Sequence, residues 1–145
     1  MKFLLSLFLM ISLAGLNLSA QTDKPTGNLT FHITGFEKNQ GQALILFYSK
    51  DDKVPKKPGR HLKAEIVNKE AVLTLENIPY GEYAAIIVHD INGNGVVDHK
   101  FGMPSEPLGY TNNWKLSLFS GMPSFDKLKF SHSKPVTIVT IRMHE

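Results

Sequence analysis

The 145-residue sequence has no cysteine. That absence excludes a thiol nucleophile, CxxC redox chemistry, cysteine-ligated zinc and a disulfide framework. A dominant charge is missing too: sixteen Lys and Arg stand against thirteen Asp and Glu, a formal +3. So small a surplus does not point to nucleic acid. The chain also lacks G-x-S-x-G and H-E-x-x-H, the short signatures of two hydrolase classes. S-x-x-K occurs at Ser124…Lys127 and Ser131…Lys134, but neither opens a helical pattern and neither has S-D-N or K-T-G companions. No amphipathic stretch of three helical turns, internal repeat or low-complexity tract is present. Asn28-Leu29-Thr30 fits the N-glycosylation pattern, which matters only in a eukaryotic secretory route.

The long apolar run comes at the start. Lys2 precedes the apolar stretch Phe3 to Ala14, and Leu18-Ser19-Ala20 ends it on small residues. This is the pattern of a cleavable secretory signal over residues 1–20, cut between Ala20 and Gln21. A membrane anchor needs roughly 20 apolar residues; this run breaks at Asn17 with no basic cluster behind it. The expectation is export to the periplasm or beyond, with no transmembrane anchor after cleavage. Cleavage removes Lys2 and lowers the formal charge to +2. Residues 21–28 read as a flexible leader, and 29–145 as one domain with room for a core.

Within that domain the hydrophobic period is two. Leu29, Phe31 and Ile33 alternate with Thr30, His32 and Thr34, a half-buried strand. Ala43 to Tyr48 is a continuous apolar run of strand length. Short strands are expected at Leu62–Val67 and Ala71–Leu75. Glu82 to His89, apolar on both faces, reads as a central strand. Phe125–Phe130 reads as a short strand and Val136–Met143 as the last one. The Lys50, Lys53, Lys56 and Lys57 loop, broken by Pro55 and Pro58, is either an anionic-ligand patch or a solvated loop. About seven short strands separated by Gly and Pro turns predict an all-β, Ig-like or transthyretin-like antiparallel sandwich. One long loop, Asp90 to Asn113, is rich in Gly and Pro but holds too many apolar and aromatic residues to be disordered.

That loop carries the chemistry worth weighing. Asp90, Asn92 and Asn94 occupy positions 1, 3 and 5 of D-x-[DN]-x-[DN]-G; Gly95 is at 6 and Asp98 at 9. Alternate side-chain oxygens can converge on a hard cation, with the Val96 carbonyl added. Position 12 is Phe101 rather than Glu, and no amphipathic helices flank the loop, so it is not an EF-hand. With two carboxylates, calcium affinity belongs at the weak end, roughly 10⁻⁴–10⁻³ M. The alternative is an array of Asx turns that bond their own backbone. His89 and His99 flank the loop without a fixed third ligand. Tyr110, Asn112, Asn113 and Trp114, with His89, are candidate ligand contacts. Trp114, Tyr110, Phe101 and Tyr80 form either an aromatic platform or packing beneath the loop.

Asn77-Ile78-Pro79-Tyr80-Gly81-Glu82-Tyr83, running into Val88-His89-Asp90-x-Asn92-Gly93-Asn94-Gly95-x-x-Asp98, resembles an exported bacterial family, domain-of-unknown-function family 2141. Gly102-x-Pro104-x-Glu106-Pro107-x-Gly109-Tyr110-x-Asn112-Asn113 and Pro123-Ser124-Phe125-Asp126-x-x-x-Phe130 resemble its later segments. The resemblance spans the mature chain and brings no activity with it. It implies a sandwich like those of transthyretin-like and carboxypeptidase-regulatory-like domains. Calcium-binding repeats of bacterial surface proteins use a similar D-x-N-x-N-G-x-x-D run.

Two functions follow as expectations. The first is a non-catalytic binding or accessory module of the cell envelope, with a protein or glycan partner and a weak calcium site. The second is a small secreted hydrolase using His89 and Asp90. Neighbouring strand residues point to opposite faces, which weighs against that dyad.

Overall fold

The computed structural model describes residues 24–144; the segment expected as a signal, 1–20, and the start of the expected leader lie outside them. Ten strands follow in chain order: β1 (Thr26–Thr34), β2 (Gln42–Ser49), β3 (Arg60–Glu65), β4 (Glu70–Pro79), β5 (Gly81–Asp90), β6 (His99–Lys100), β7 (Met103–Pro104), β8 (Leu108–Tyr110), β9 (Phe130–His132) and β10 (Val136–Arg142). One helical turn, α1 (Phe125–Leu128), precedes β9.

β1 buries Leu29, Phe31 and Ile33 completely, as the period of two requires. It begins three residues earlier than the apolar pattern does. Thr26 and Gly27 already pair with Pro79 and Ile78 of β4, and the Tyr80 N–H donates to the Pro25 carbonyl at 2.9 Å. β1 lies between β4 and β10 in a three-stranded sheet. Its pairing with β10 is parallel, from Asn28↔Val136 to Thr34↔Arg142. The sandwich is therefore not antiparallel throughout: its first and last strands run the same way.

The second sheet has the order β3-β2-β5-β8, and β9 pairs with the opposite end of β5. β2 and β5 are buried on consecutive residues, so both of their faces are covered. One face carries Ala43, Ile45, Phe47, Ala85 and Ile87 against Leu29, Phe31, Ile33 and Ile141 of the first sheet. Phe31 meets Phe47 edge-on at 5.8 Å, and Phe47 stacks on Tyr83 at 5.0 Å. The other face carries Leu44, Leu46, Tyr48, Ala84, Ile86 and Val88 under a cover made by Tyr110, Trp114, Phe125 and Leu128. Burying each large apolar side chain contributes about 1.5–3 kcal/mol.

The cover explains two departures from the sequence pattern. Residues 125–130 do not form one strand: α1 is followed by β9. Phe125 and Leu128 both pack into the second core, and a spacing of three brings them to one side only in a helix. The long loop holds three short strands, β6 and β7 as an exposed hairpin and β8 on the sheet. In the Lys-rich loop, Lys53 and Lys57 exchange backbone hydrogen bonds, Val54 packs into the second core, and the lysines face solvent.

Candidate functional site

Asp90 ends β5 opposite Gln42, the first residue of β2. It is completely buried, and a buried carboxylate needs partners. Gln42 Nε2 donates to Oδ2 at 2.6 Å, the Gly95 N–H to Oδ2 at 2.8 Å, and the Asn94 N–H to Oδ1 at 3.1 Å. Burial pushes the carboxyl pKa up. The bonds from Gln42, Gly95, Asn94 and Gly93 together outweigh that and hold it below the ordinary carboxylate value.

The loop then repeats the device. Asn92 Oδ1 accepts the Asn94 N–H and Asn94 Oδ1 accepts the Val96 N–H, each at 3.0 Å. These are Asx turns. The two side-chain amides donate instead to Asp98: Asn92 Nδ2 at 2.6 Å, and Asn94 Nδ2 at 3.2 Å to Oδ1. Glu106 returns from beyond the hairpin. Its Oε1 accepts the Ile91 N–H at 3.2 Å and its Oε2 the Asp98 N–H at 3.1 Å. The loop is thus tied at both ends by carboxylates on backbone donors.

Gly41 is part of the same assembly. It has φ +79, and a Cβ there would sit 2.1 Å from the Asp90 carbonyl oxygen. Only glycine allows the backbone to pass so close. Lys63 brings its ammonium against Gly95, where a Cβ would lie 2.7 Å from Nζ.

The five expected calcium positions therefore stand close together but in a different bonding state. The oxygens of Asp90, Asn92 and Asn94 face backbone N–H groups. Amide nitrogens, not oxygens, face Asp98. Among the described residues no three His, Asp or Glu side chains are placed to hold a metal ion. Glu106 brings a further carboxylate to the loop, but its two oxygens accept the Ile91 and Asp98 N–H groups.

The candidate ligand contacts separate. His89 is buried in the first core: its Nε2 lies 2.9 Å from the Gln40 carbonyl oxygen and its ring meets Phe36 edge-on at 5.1 Å. Asp90 lies on the other face of β5, with Gln42. His99 lies in the exposed β6. Tyr110 is buried and meets Trp114 edge-on at 4.7 Å, while Lys127 Nζ lies 5.7 Å from the Trp114 ring centroid. Burial raises the Tyr110 pKa. Asn112 donates from Nδ2 to the Lys127 carbonyl at 3.1 Å, and Asn113 is exposed. The four aromatics make no single platform. Tyr80 packs on His132 at 5.3 Å, and Phe101 is wholly exposed at the β6–β7 turn.

Gln42 was not signalled by the sequence pattern. Its role comes from strand register, which one strand alone does not reveal.

A family model described as "Uncharacterized protein conserved in bacteria (DUF2141)" matches residues 31–140. No curated protein matches the chain, and no solved structure does.

Proposed function

The chain belongs to the DUF2141 family, and from that premise we propose that it is an exported, non-catalytic binding or accessory module of the bacterial cell envelope. Its partner on this reading is an envelope protein or glycan. The observation that carries the reading is Phe101. It occupies a two-residue hairpin turn with Gly102, at φ 52 and 79. Positive φ at both central positions is the type I′ pattern, which favours Asn-Gly. A bulky aromatic in the left-handed region costs on the order of 1 kcal/mol, yet this one buries nothing. Such a residue does not serve the fold. It is presented to solvent on a hairpin whose base is closed by the Asp98 N–H to Glu106 and the Ser105 N–H to the Asp98 carbonyl.

Phe101→Asn separates presentation from folding, because Asn suits the turn better. Crosslinking to a native envelope extract should capture a partner with the wild-type chain and lose it with the variant. The melting temperature should stay the same or rise. Equal capture by both chains would sink the proposal. The hydrolase alternative has less support, since His89 and Asp90 lie on opposite faces and both are engaged in structural hydrogen bonds.

A second reading is a weak calcium site, favoured by the clustering of Asp90, Asn92, Asn94 and Asp98 in one loop. Binding would require the Asn92 and Asn94 amides to turn so that their oxygens face Asp98, and would place the ion near the Lys63 ammonium. At free calcium equal to Kd the gain is about 0.4 kcal/mol. Titration followed by Trp114 fluorescence and melting temperature tests it. No change at about 10 mM calcium, well above the weak extracellular range, removes the site.

A further inference from the structure

A second surface, away from the Phe101 hairpin's turn, combines charge with exposed apolar side chains. Where β8 and the turn after it meet the end of β10, Tyr110, Asn113, Lys115, Arg142 and His144 line a cleft of about 250 Å³. The seam is tight. The His144 N–H donates to the Leu108 carbonyl at 3.3 Å. A Cβ on Gly109 would lie 2.8 Å from Met143 Sδ.

Among the described residues the lining offers a guanidinium, an ammonium, an imidazole, a phenol and a carboxamide, and no carboxylate. None of Lys115, Arg142 and His144 takes part in the ion pairs of the described residues. Drug-sized ligands occupy clefts of roughly 300–1,000 Å³. This one is smaller and suits a single oxyanion, for which a guanidinium fork and an ammonium are the usual partners.

The chain leaves the cleft at Lys115 and enters an apolar turn. Leu118 and Phe119 are 98% and 99% exposed, and Leu116 and Met122 are also exposed. This turn is built, not loose. Ser117 and Ser120 exchange bonds: the Ser117 N–H reaches Ser120 Oγ at 2.7 Å, and the Ser120 N–H reaches Ser117 Oγ at 3.1 Å. Lys127 Nζ donates to the Ser120 and Met122 carbonyls at 2.7 and 2.8 Å. Leu118 is three positions beyond Lys115, a reach of at most about 11 Å. The result is a convex apolar tip beside a cationic recess.

We propose that this face docks on an anionic phospholipid surface, with a head-group phosphate in the cleft and Leu118 and Phe119 in the acyl boundary. Charge complementarity selects that occupant. A bilayer interface places phosphate just outside hydrocarbon, the order in which this face places its cations and its apolar tip.

Flotation of the protein with vesicles tests this. Vesicles of mixed phosphatidylglycerol and phosphatidylcholine should carry it, with a change in Trp114 emission; phosphatidylcholine alone should bind it at least about tenfold more weakly. The Leu118→Ser/Phe119→Ser double variant should lose about tenfold or more. Lys115→Glu and Arg142→Glu should each lose about fivefold or more. Lys115 is exposed, so its variant decides the point even if Arg142→Glu does not fold.

Equal binding to both vesicle types overturns the proposal, as does full binding by the double variant. Inorganic phosphate that raises the melting temperature without any vesicle binding assigns the cleft to the free ion and overturns the membrane surface. Self-association abolished by the double variant, again without vesicle binding, overturns it in favour of a second copy. Phe101→Asn should leave vesicle binding unchanged, so this proposal and the partner-binding reading fail separately.

Discussion

Asp90 shows what a single buried charge does in this domain. The Gln42 amide and the backbone N–H groups of Gly93, Asn94 and Gly95 stabilise its carboxylate. Replacing it by Asn keeps the shape but turns an NH₂ group toward an N–H. Hydrogen bonds to a charged group contribute about 1.5–3 kcal/mol, so Asp90→Asn should destabilise the domain by about 2–3 kcal/mol in urea at neutral pH. The folded-state pKa is depressed. The stabilisation is therefore present above the unfolded value near 3.9 and is lost as pH falls through the folded one. The gap between wild type and variant should narrow below about pH 4. A gap that stays constant down to acid pH would mean the charge is not the source. The sequence makes Asp90 visible as the first residue of a spaced oxygen series. It does not make visible that Gln42 stands across from it, or that Glu106 folds back to the same loop. Both depend on pairings between distant segments.

Among the elements, the cover on the second sheet depends on one hydroxyl. Thr111 is fully buried. Its Oγ1 accepts the Ala85 N–H at 3.0 Å and donates to the Leu128 carbonyl at 2.6 Å. It therefore joins β5, the turn after β8 and the end of α1. Thr111→Val keeps the volume and leaves those backbone groups unpaired. It should cost about 2–3 kcal/mol and raise hydrogen exchange first around residues 108–128. Uniform loss of protection across both sheets would show that the cover does not open separately. Element type was legible wherever both faces agreed: the unbroken apolar runs of β2 and β5 announced strands, and that of β5 a central one. It was illegible at Phe125–Leu128, where four residues suit either period and only the second core decides. The Phe101-Gly102 hairpin was equally hidden, because aromatic residues disfavour the conformation it adopts.

At the scale of the whole molecule, a sandwich was readable from strand spacing and turns, but its third layer was not. The apolar residues of the long loop implied packing without saying against what. The answer is the outer face of β2 and β5, which leaves the loop tips, rather than the loop body, as the available surface. The direction of the last strand was hidden too. β1 is bonded along one side by β10, more than a hundred residues away in sequence. Long-range pairing of this kind is slow to form. It also imposes an order on events: the first sheet lacks one of its three strands until Val136–Arg142 has emerged from the ribosome. A chain built this way keeps one edge of β1 unpaired until that distant segment arrives, and an open strand edge is a template on which another chain can add.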